Sequence, residues 1–171
     1  MYPHVDATAQ YRYLAAQGRE EFLAASAPAA LVRYRPGGDG DGGLDESTMT
    51  VEHSADSFDT PFAEPGEELE IFPLAKKPGA SFPDRITIGR TSNNDIALNE
   101  HSVSRLHAYL RHDGQKWVVA DAGSKNGCWL DGVRLEARRE ILVRSRSMVR
   151  IGDIELTFYV AADLYALLGG G

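Results

Sequence analysis

The sequence holds a single cysteine, Cys128, so no disulfide can close within one copy of the chain. That usage is compatible with a reducing compartment. No stretch approaches the ~18 consecutive apolar residues that a membrane-spanning helix needs. No charged segment leading into an apolar run marks a secretory signal at the start. A cytoplasmic protein with no membrane partner is the expectation. Basic residues are also in short supply: 18 Lys and Arg stand against 25 Asp and Glu, a net charge of −7. Lys and Arg that neutralise phosphates supply most of the affinity of nucleic-acid binders, so no nucleic-acid partner is expected. There is no phosphate loop of the Gly-x-x-x-x-Gly-Lys type and no nucleophile–base pair. His101, His107 and His112 lie close together, but no Cys/His set has zinc spacing. The Asp-Gly-Asp-Gly run lacks the spaced ligands and closing Glu of a calcium loop. No catalytic residue, metal or cofactor is expected.

What is present suffices for one domain of ordinary size plus an extension: 171 residues, 43% of them hydrophobic. Charge is unevenly spread. Residues 1–84 carry 6 Lys/Arg and 15 Asp/Glu, whereas residues 85–171 carry 12 and 10. The acidity therefore lies upstream, and the second half is close to neutral.

From Asp6 to Ala27 the chain is rich in good helix formers, with Tyr11, Leu14, Ala15 and Phe22 on one face. Gly18 weakens this helix and Pro28 is a natural stop. Ala29 to Tyr34 reads as a short strand. Arg35 to Ser47 is a Gly- and Asp-rich linker, and residues 48–68 stay acidic and irregular, with Thr48, Thr50 and Thr60 among them. After that come short apolar runs separated by turns, from Leu69–Leu74 through Arg85–Gly89, Ile96–Leu98, Leu106–Leu110 and Trp117–Ala120 to Ile154–Val160. Asp131-Gly132 is a two-residue hairpin turn, and Gly152-Asp153 is another tight turn. Many short strands without intervening helices mean an all-β sandwich or barrel. The expected organisation is an N-terminal helical extension (1–34), an acidic linker (35–68), the β-domain (69–162) and a short tail (163–171) with a final helical turn.

Three polar loops at strand ends carry the chemistry: Gly-Arg-Thr-Ser-Asn-Asn-Asp from Gly89, Ser-Val-Ser-Arg-Leu-His from Ser102, and Ser-Lys-Asn-Gly from Ser124. Met at one rim, they supply guanidinium, hydroxyl, ammonium and carboxamide groups, a set suited to a phosphate and the peptide that bears it. Gly-Arg, then Ser-Arg-x-His with Ser104 fourteen residues after Arg90, then Ser-x-Asn-Gly and a turn ending in Gly132, resembles the forkhead-associated (FHA) domain. The resemblance covers Glu70 to Val160. It implies a β-sandwich of about eleven strands whose loops read phosphothreonine peptides. A bacterial source is expected.

On that resemblance, Arg90 is the phosphate-binding Arg, Ser104 a phosphate-contacting hydroxyl and Arg105 a second contact, with a solvated surface role as its alternative. Lys125 stands where some members have a phosphate-touching Thr, and it reads equally well as an ordinary loop Lys. Asn126 matches the Asn that holds the peptide backbone. His107 is implied to brace the loops, and Gly89, Gly127 and Gly132 are backbone necessities. The usual Asn-Gly-Thr is here Asn126-Gly127-Cys128, and the usual Asn-Gly turn is Asp131-Gly132. Residues Thr91–Asn94 and Gly123–Asn126 are candidates for choosing the ligand. Arg138, Arg139, Arg144, Arg146 and Arg150 form a further basic group.

The expected function is a phosphothreonine-peptide binding module acting in Ser/Thr kinase signalling, its partner a phosphorylated protein such as a kinase or a kinase substrate. Self-binding through a phosphorylated Thr48, Thr50 or Thr60 is a further expectation. The alternative is a scaffold or assembly subunit that uses the same sandwich without phosphate.

Overall fold

The computed structural model describes residues 7–36, 67–80 and 82–169. Thr48, Thr50 and Thr60 lie outside them. The expected single N-terminal helix is two, α1 (Ala7–Gln17) and α2 (Arg19–Ala25). The break falls at Gly18, whose φ of 122° belongs to the region open to glycine. The chain then enters β1 (Ala29–Pro36), followed by β2 (Glu67–Pro73), β3 (Ile86–Gly89), β4 (Ile96–Ala97), β5 (Ala108–His112) and β6 (Trp117–Asp121). The remaining strands are β7 (Cys128–Leu130), β8 (Val133–Arg134), β9 (Ile141–Val143), β10 (Met148–Ile151) and β11 (Ile154–Val160), with helix α3 (Ala161–Leu167) directly after β11.

The strands form two sheets, one of six in the order β2-β1-β11-β10-β7-β8 and one of five in the order β4-β3-β5-β6-β9. Pairing is antiparallel except between β3 and β4. Between the sheets lies a core containing Leu31, Phe72, Ile88, Leu110, Val149 and Phe158. The alternation of β10 shows how it is built: Val149 and Ile151 point inward, and Met148 and Arg150 face solvent. Each buried Leu, Ile or Phe contributes roughly 1.5–3 kcal/mol through removal of its surface from water.

β1 differs from its expected place in the extension. It runs between β2 and β11, with Leu31 opposite both Phe72 and Phe158. Ala29 and Leu31 join the core between the sheets, while Ala30 and Val32 face the helices. Burial on both faces is why this strand reads as an unbroken apolar run. The three helices form a third layer over this half of the six-stranded sheet. Tyr11, Ala15, Phe22 and Leu164 pack on Val32, Ile71 and Tyr159. Phe22 meets Tyr11 and Tyr165 with ring centroids 5.6 and 5.4 Å apart. The Thr8 hydroxyl bridges two backbone groups of β2, donating to Leu69 O (3.0 Å) and accepting from Ile71 N–H (3.2 Å). The described helices before β1 and after β11 are thus packed against the sandwich.

Candidate functional site

The loops after β3, β4, β6 and β10 gather at one end of the sandwich, tied together mainly through backbone groups. Arg90 N–H donates to Ser104 O at 2.9 Å, and Lys125 N–H donates to the Ser104 hydroxyl oxygen at 3.0 Å. Arg90, Ser104 and Lys125, from three separate loops, are therefore neighbours. With its oxygen accepting from Lys125, the Ser104 hydroxyl keeps its proton for a further acceptor. Asn126 Nδ2 donates to Ser102 O at 2.9 Å, which turns this carboxamide toward the same edge. The Ser102 hydroxyl in turn accepts from Asp153 N–H at 3.0 Å, adding the β10–β11 turn to the cluster.

Two residues hold these loops at a fixed separation. His107 has no exposed surface. Its Nδ1 accepts from Ser104 N–H at 3.0 Å, which leaves the proton on Nε2 to be donated to Gly127 O at 2.7 Å. The ring spans from the Ser104 loop to the Gly127 loop as a neutral Nε2–H tautomer. Burial pushes its pKa down, against the opposing influence of the Gly127 carbonyl and Asp121. Gly89 is the second. A Cβ there would lie 2.0 Å from Arg105 O, so only a bare Cα lets the Ser104–Arg105 segment rest on β3.

Two residues that the sequence reading did not single out for this support are Asn94 and Asp95. Asn94 is buried, and its Nδ2 donates to Arg105 O (2.7 Å) and Thr91 O (2.9 Å). It braces the loop from within, so of the candidate selectivity residues 91–94 it is the one withdrawn from solvent. The Asp95 carboxylate accepts from Lys76 Nζ (2.7 Å), Lys77 N–H (2.8 Å) and Thr87 N–H (2.8 Å). Burial works against its charge, but Lys76 and the two N–H groups outweigh it and hold the carboxyl below its usual range. No periodicity marks either residue, because each also bonds groups eight or more residues away in the chain.

Arg105, Lys125 and Asn126 are exposed and Arg90 is half-buried. Among the described residues no carboxylate pairs with Arg90, Arg105 or Lys125. These three cations thus stand without a carboxylate partner among the described residues, on loops that converge at Ser104 through backbone groups. Gly132 is not part of the rim. With Asp131 (φ 49°) it makes the β7–β8 hairpin at the far end of β7, where positive φ at both positions matches a type I′ turn. Cys128 is fully buried in the core between the sheets, and burial pushes its thiol up to about 12. The expected basic group is dispersed. Arg139, Arg146 and Arg150 face Glu136, Asp163 and Asp153 at 3.3, 3.9 and 3.7 Å, and Arg150 also lies over the Trp129 ring. Among the described residues no cluster of His, Cys, Asp and Glu is arranged to hold a metal, and no helix is long and apolar enough to cross a membrane.

The FHA domain family model matches residues 86–152, the stretch from β3 to the β10–β11 turn. The oxoglutarate dehydrogenase inhibitor of Corynebacterium glutamicum is 30% identical over 118 residues, covering 67% of this chain and 78% of that protein. The chain belongs to the FHA-domain family. The transcriptional regulatory protein EmbR of Mycobacterium tuberculosis is 36% identical over 78 residues, 46% of this chain. This chain spans only 20% of the length of EmbR. A solved structure of M. tuberculosis EmbR in complex with a low-affinity phosphopeptide superposes with a TM-score of 0.46 and 30% identity, covering 53% of this chain and 22% of that one. Both proteins are bacterial, in line with the expected source.

Proposed function

We propose that this FHA domain binds a phosphothreonine-containing segment of a partner protein, with the rim of Arg90, Ser104, Arg105, Lys125 and Asn126 as the binding site and no chemistry performed on the ligand. The observation that carries this reading is the convergence of Arg90, Ser104 and Lys125 with no carboxylate against either cation among the described residues. Guanidinium and ammonium groups left unpaired beside a free hydroxyl proton suit an anion with several acceptor oxygens. Phosphate carries about −1.5 to −2 at pH 7 and three such oxygens, more than the single charge of Asp or Glu. Arg90 gives two parallel hydrogen bonds, Ser104 and Lys125 one each, and the Asn126 carboxamide fixes the register of the peptide backbone. Charge-assisted bonds contribute roughly 1.5–3 kcal/mol each. Less the cost of ordering a peptide, three or four leave about −7 to −9 kcal/mol, a Kd on the order of micromolar.

The partner on this reading is a phosphorylated protein of Ser/Thr kinase signalling, the kinase itself or one of its substrates. Thr48, Thr50 and Thr60 are candidate ligands within the chain. Fluorescence anisotropy against a degenerate phosphothreonine library, with unphosphorylated and phosphoserine libraries as controls, tests the proposal. Binding confined to phosphothreonine supports it. Equal binding to the unphosphorylated library overturns it in favour of the phosphate-independent scaffold. Substituting Thr48, Thr50 and Thr60 by Val then tests self-binding, which predicts tighter capture of added peptide by the substituted protein after treatment with a kinase that phosphorylates those threonines in the unsubstituted chain.

A further inference from the structure

Beside the rim, on the outer face of the five-stranded sheet, lies a groove of about 310 Å³ lined by Phe82, Arg85, Thr87, Leu106, Tyr109, Ala122 and Arg138. We propose that this groove is a second docking subsite for the same phosphorylated partner, taking an apolar side chain that stands next to a carboxylate. The inference rests on the phosphothreonine reading above and names what else the partner must carry.

Continuity is the first support. Leu106 directly follows Arg105, and Ala122 directly precedes the Gly123–Lys125 loop, so two of the rim's loops run straight into the groove. A peptide seated on Arg90 and Ser104 has the groove as adjoining surface. Its apolar character is the second. Phe82 and Leu106 are 48% and 38% exposed. The Arg85 guanidinium is fixed by Asp84, through bonds of 3.2 and 2.9 Å, and lies 4.3 Å over the Tyr109 ring and 5.5 Å from that of Phe82. Its charge is answered, and it lies over the two rings in a wall against which an apolar side chain can pack.

The opposite wall supplies the charge. Arg138 is held with φ of 64°, and its N–H donates to Asp121 O at 2.7 Å. Its guanidinium lies against the rim loop, with Nη2 3.9 Å from where a Cβ on Gly123 would sit. Among the described residues it has no ion pair and no side-chain hydrogen bond, unlike Arg85. One unpaired guanidinium matches one carboxylate in a two-bond pair, whereas a second phosphate would call for further donors that the described lining of the groove does not offer. The ligand class is therefore a phosphothreonine segment with a neighbouring apolar–acidic pair.

The test walks a Leu-Glu pair outward in both directions from the phosphothreonine of an otherwise Ala/Gly peptide, with affinities measured by isothermal titration. The inference predicts one position at which affinity rises about tenfold, the scale of one added charge-assisted contact. Arg138→Gly, which suits the positive φ, and Leu106→Ser each abolish that gain and leave the affinity for the plain phosphothreonine peptide unchanged. No gain at any position, or a gain that survives both substitutions, overturns the groove while the phosphothreonine reading stands. If no phosphothreonine peptide binds, but the unphosphorylated Leu-Glu peptide binds and loses affinity in Arg138→Gly, the rim reading falls and with it the groove's role as a second subsite for a phosphorylated partner.

Discussion

Arg85 and Arg111, on the outer face of the five-stranded sheet, and the three cations of the neighbouring rim are treated in opposite ways. On the outer face of the five-stranded sheet, Arg85 is bonded to Asp84, and Arg111 meets Glu140 through two hydrogen bonds of 2.7 Å each. Those partners hold the carboxyls of Asp84 and Glu140 below their usual range. At the rim, Arg90, Arg105 and Lys125 have no such partner among the described residues. A cation with its own carboxylate ties a surface together, and one without is available to an incoming anion. The rim is also where a buried neutral histidine fixes the loops, so the unpaired charges stand on a rigid frame.

Substitutions that swap these two characters sharpen the contrast. The largest effect is expected for Arg90→Ala, which removes the bidentate grip: phosphothreonine-peptide affinity falls by about 100-fold or more, with an unchanged Tm. His107→Ala comes next. It leaves Ser104 N–H without its buried acceptor and takes a donor from Gly127 O, costing about 2–4 kcal/mol in a denaturant titration and weakening peptide binding with it.

The same residue gives a pH dependence. The folded-state pKa of His107 lies below its unfolded value of 6.5, so the unfolded chain binds more protons in the window between them. Its contribution to stability is full above about pH 6.5 and is lost as pH falls toward the folded pKa. Thermal melts from pH 8 down to pH 5 therefore show a Tm decline that is absent in His107→Ala relative to its own value at pH 8. Lys125→Glu places at the rim the carboxylate that the sheet face has, and a drop of about tenfold in affinity, shrinking as salt is added, is expected. The smallest effect belongs to Arg111→Ala, which breaks a surface pair: peptide affinity is unchanged and Tm falls only slightly.

Much of the sandwich was legible because period-2 apolar runs and Asp-Gly turns are local signals. The β7–β8 hairpin falls where Asp131-Gly132 indicated, and Arg90, Ser104, Lys125 and Asn126 meet because their loops end strands of one rim. Less legible was what depends on partners far away in the chain. Ala29–Val32 looks like any short apolar run, and only its pairing with both β2 and β11 makes it an interior strand. Likewise, one glycine between two helical stretches weakens a helix without announcing that the chain turns there. Asn94 and Asp95 read as loop residues, because a buried polar side chain that satisfies backbone groups differs from an exposed one only in its contacts. The pairing of Arg85 and Arg111 with acids, against the isolation of Arg90, is equally invisible in a count of charges.

On this reading the rim's cations, unpaired among the described residues, receive a phosphate. Isothermal titration of one phosphothreonine peptide and its unphosphorylated twin into the unsubstituted protein and Arg90→Ala tests it most directly, with circular dichroism confirming that both proteins are folded. The account predicts a micromolar Kd for the phosphopeptide with the unsubstituted protein and no measurable heat in the other three titrations. Phosphopeptide affinity retained in a folded Arg90→Ala protein would contradict it.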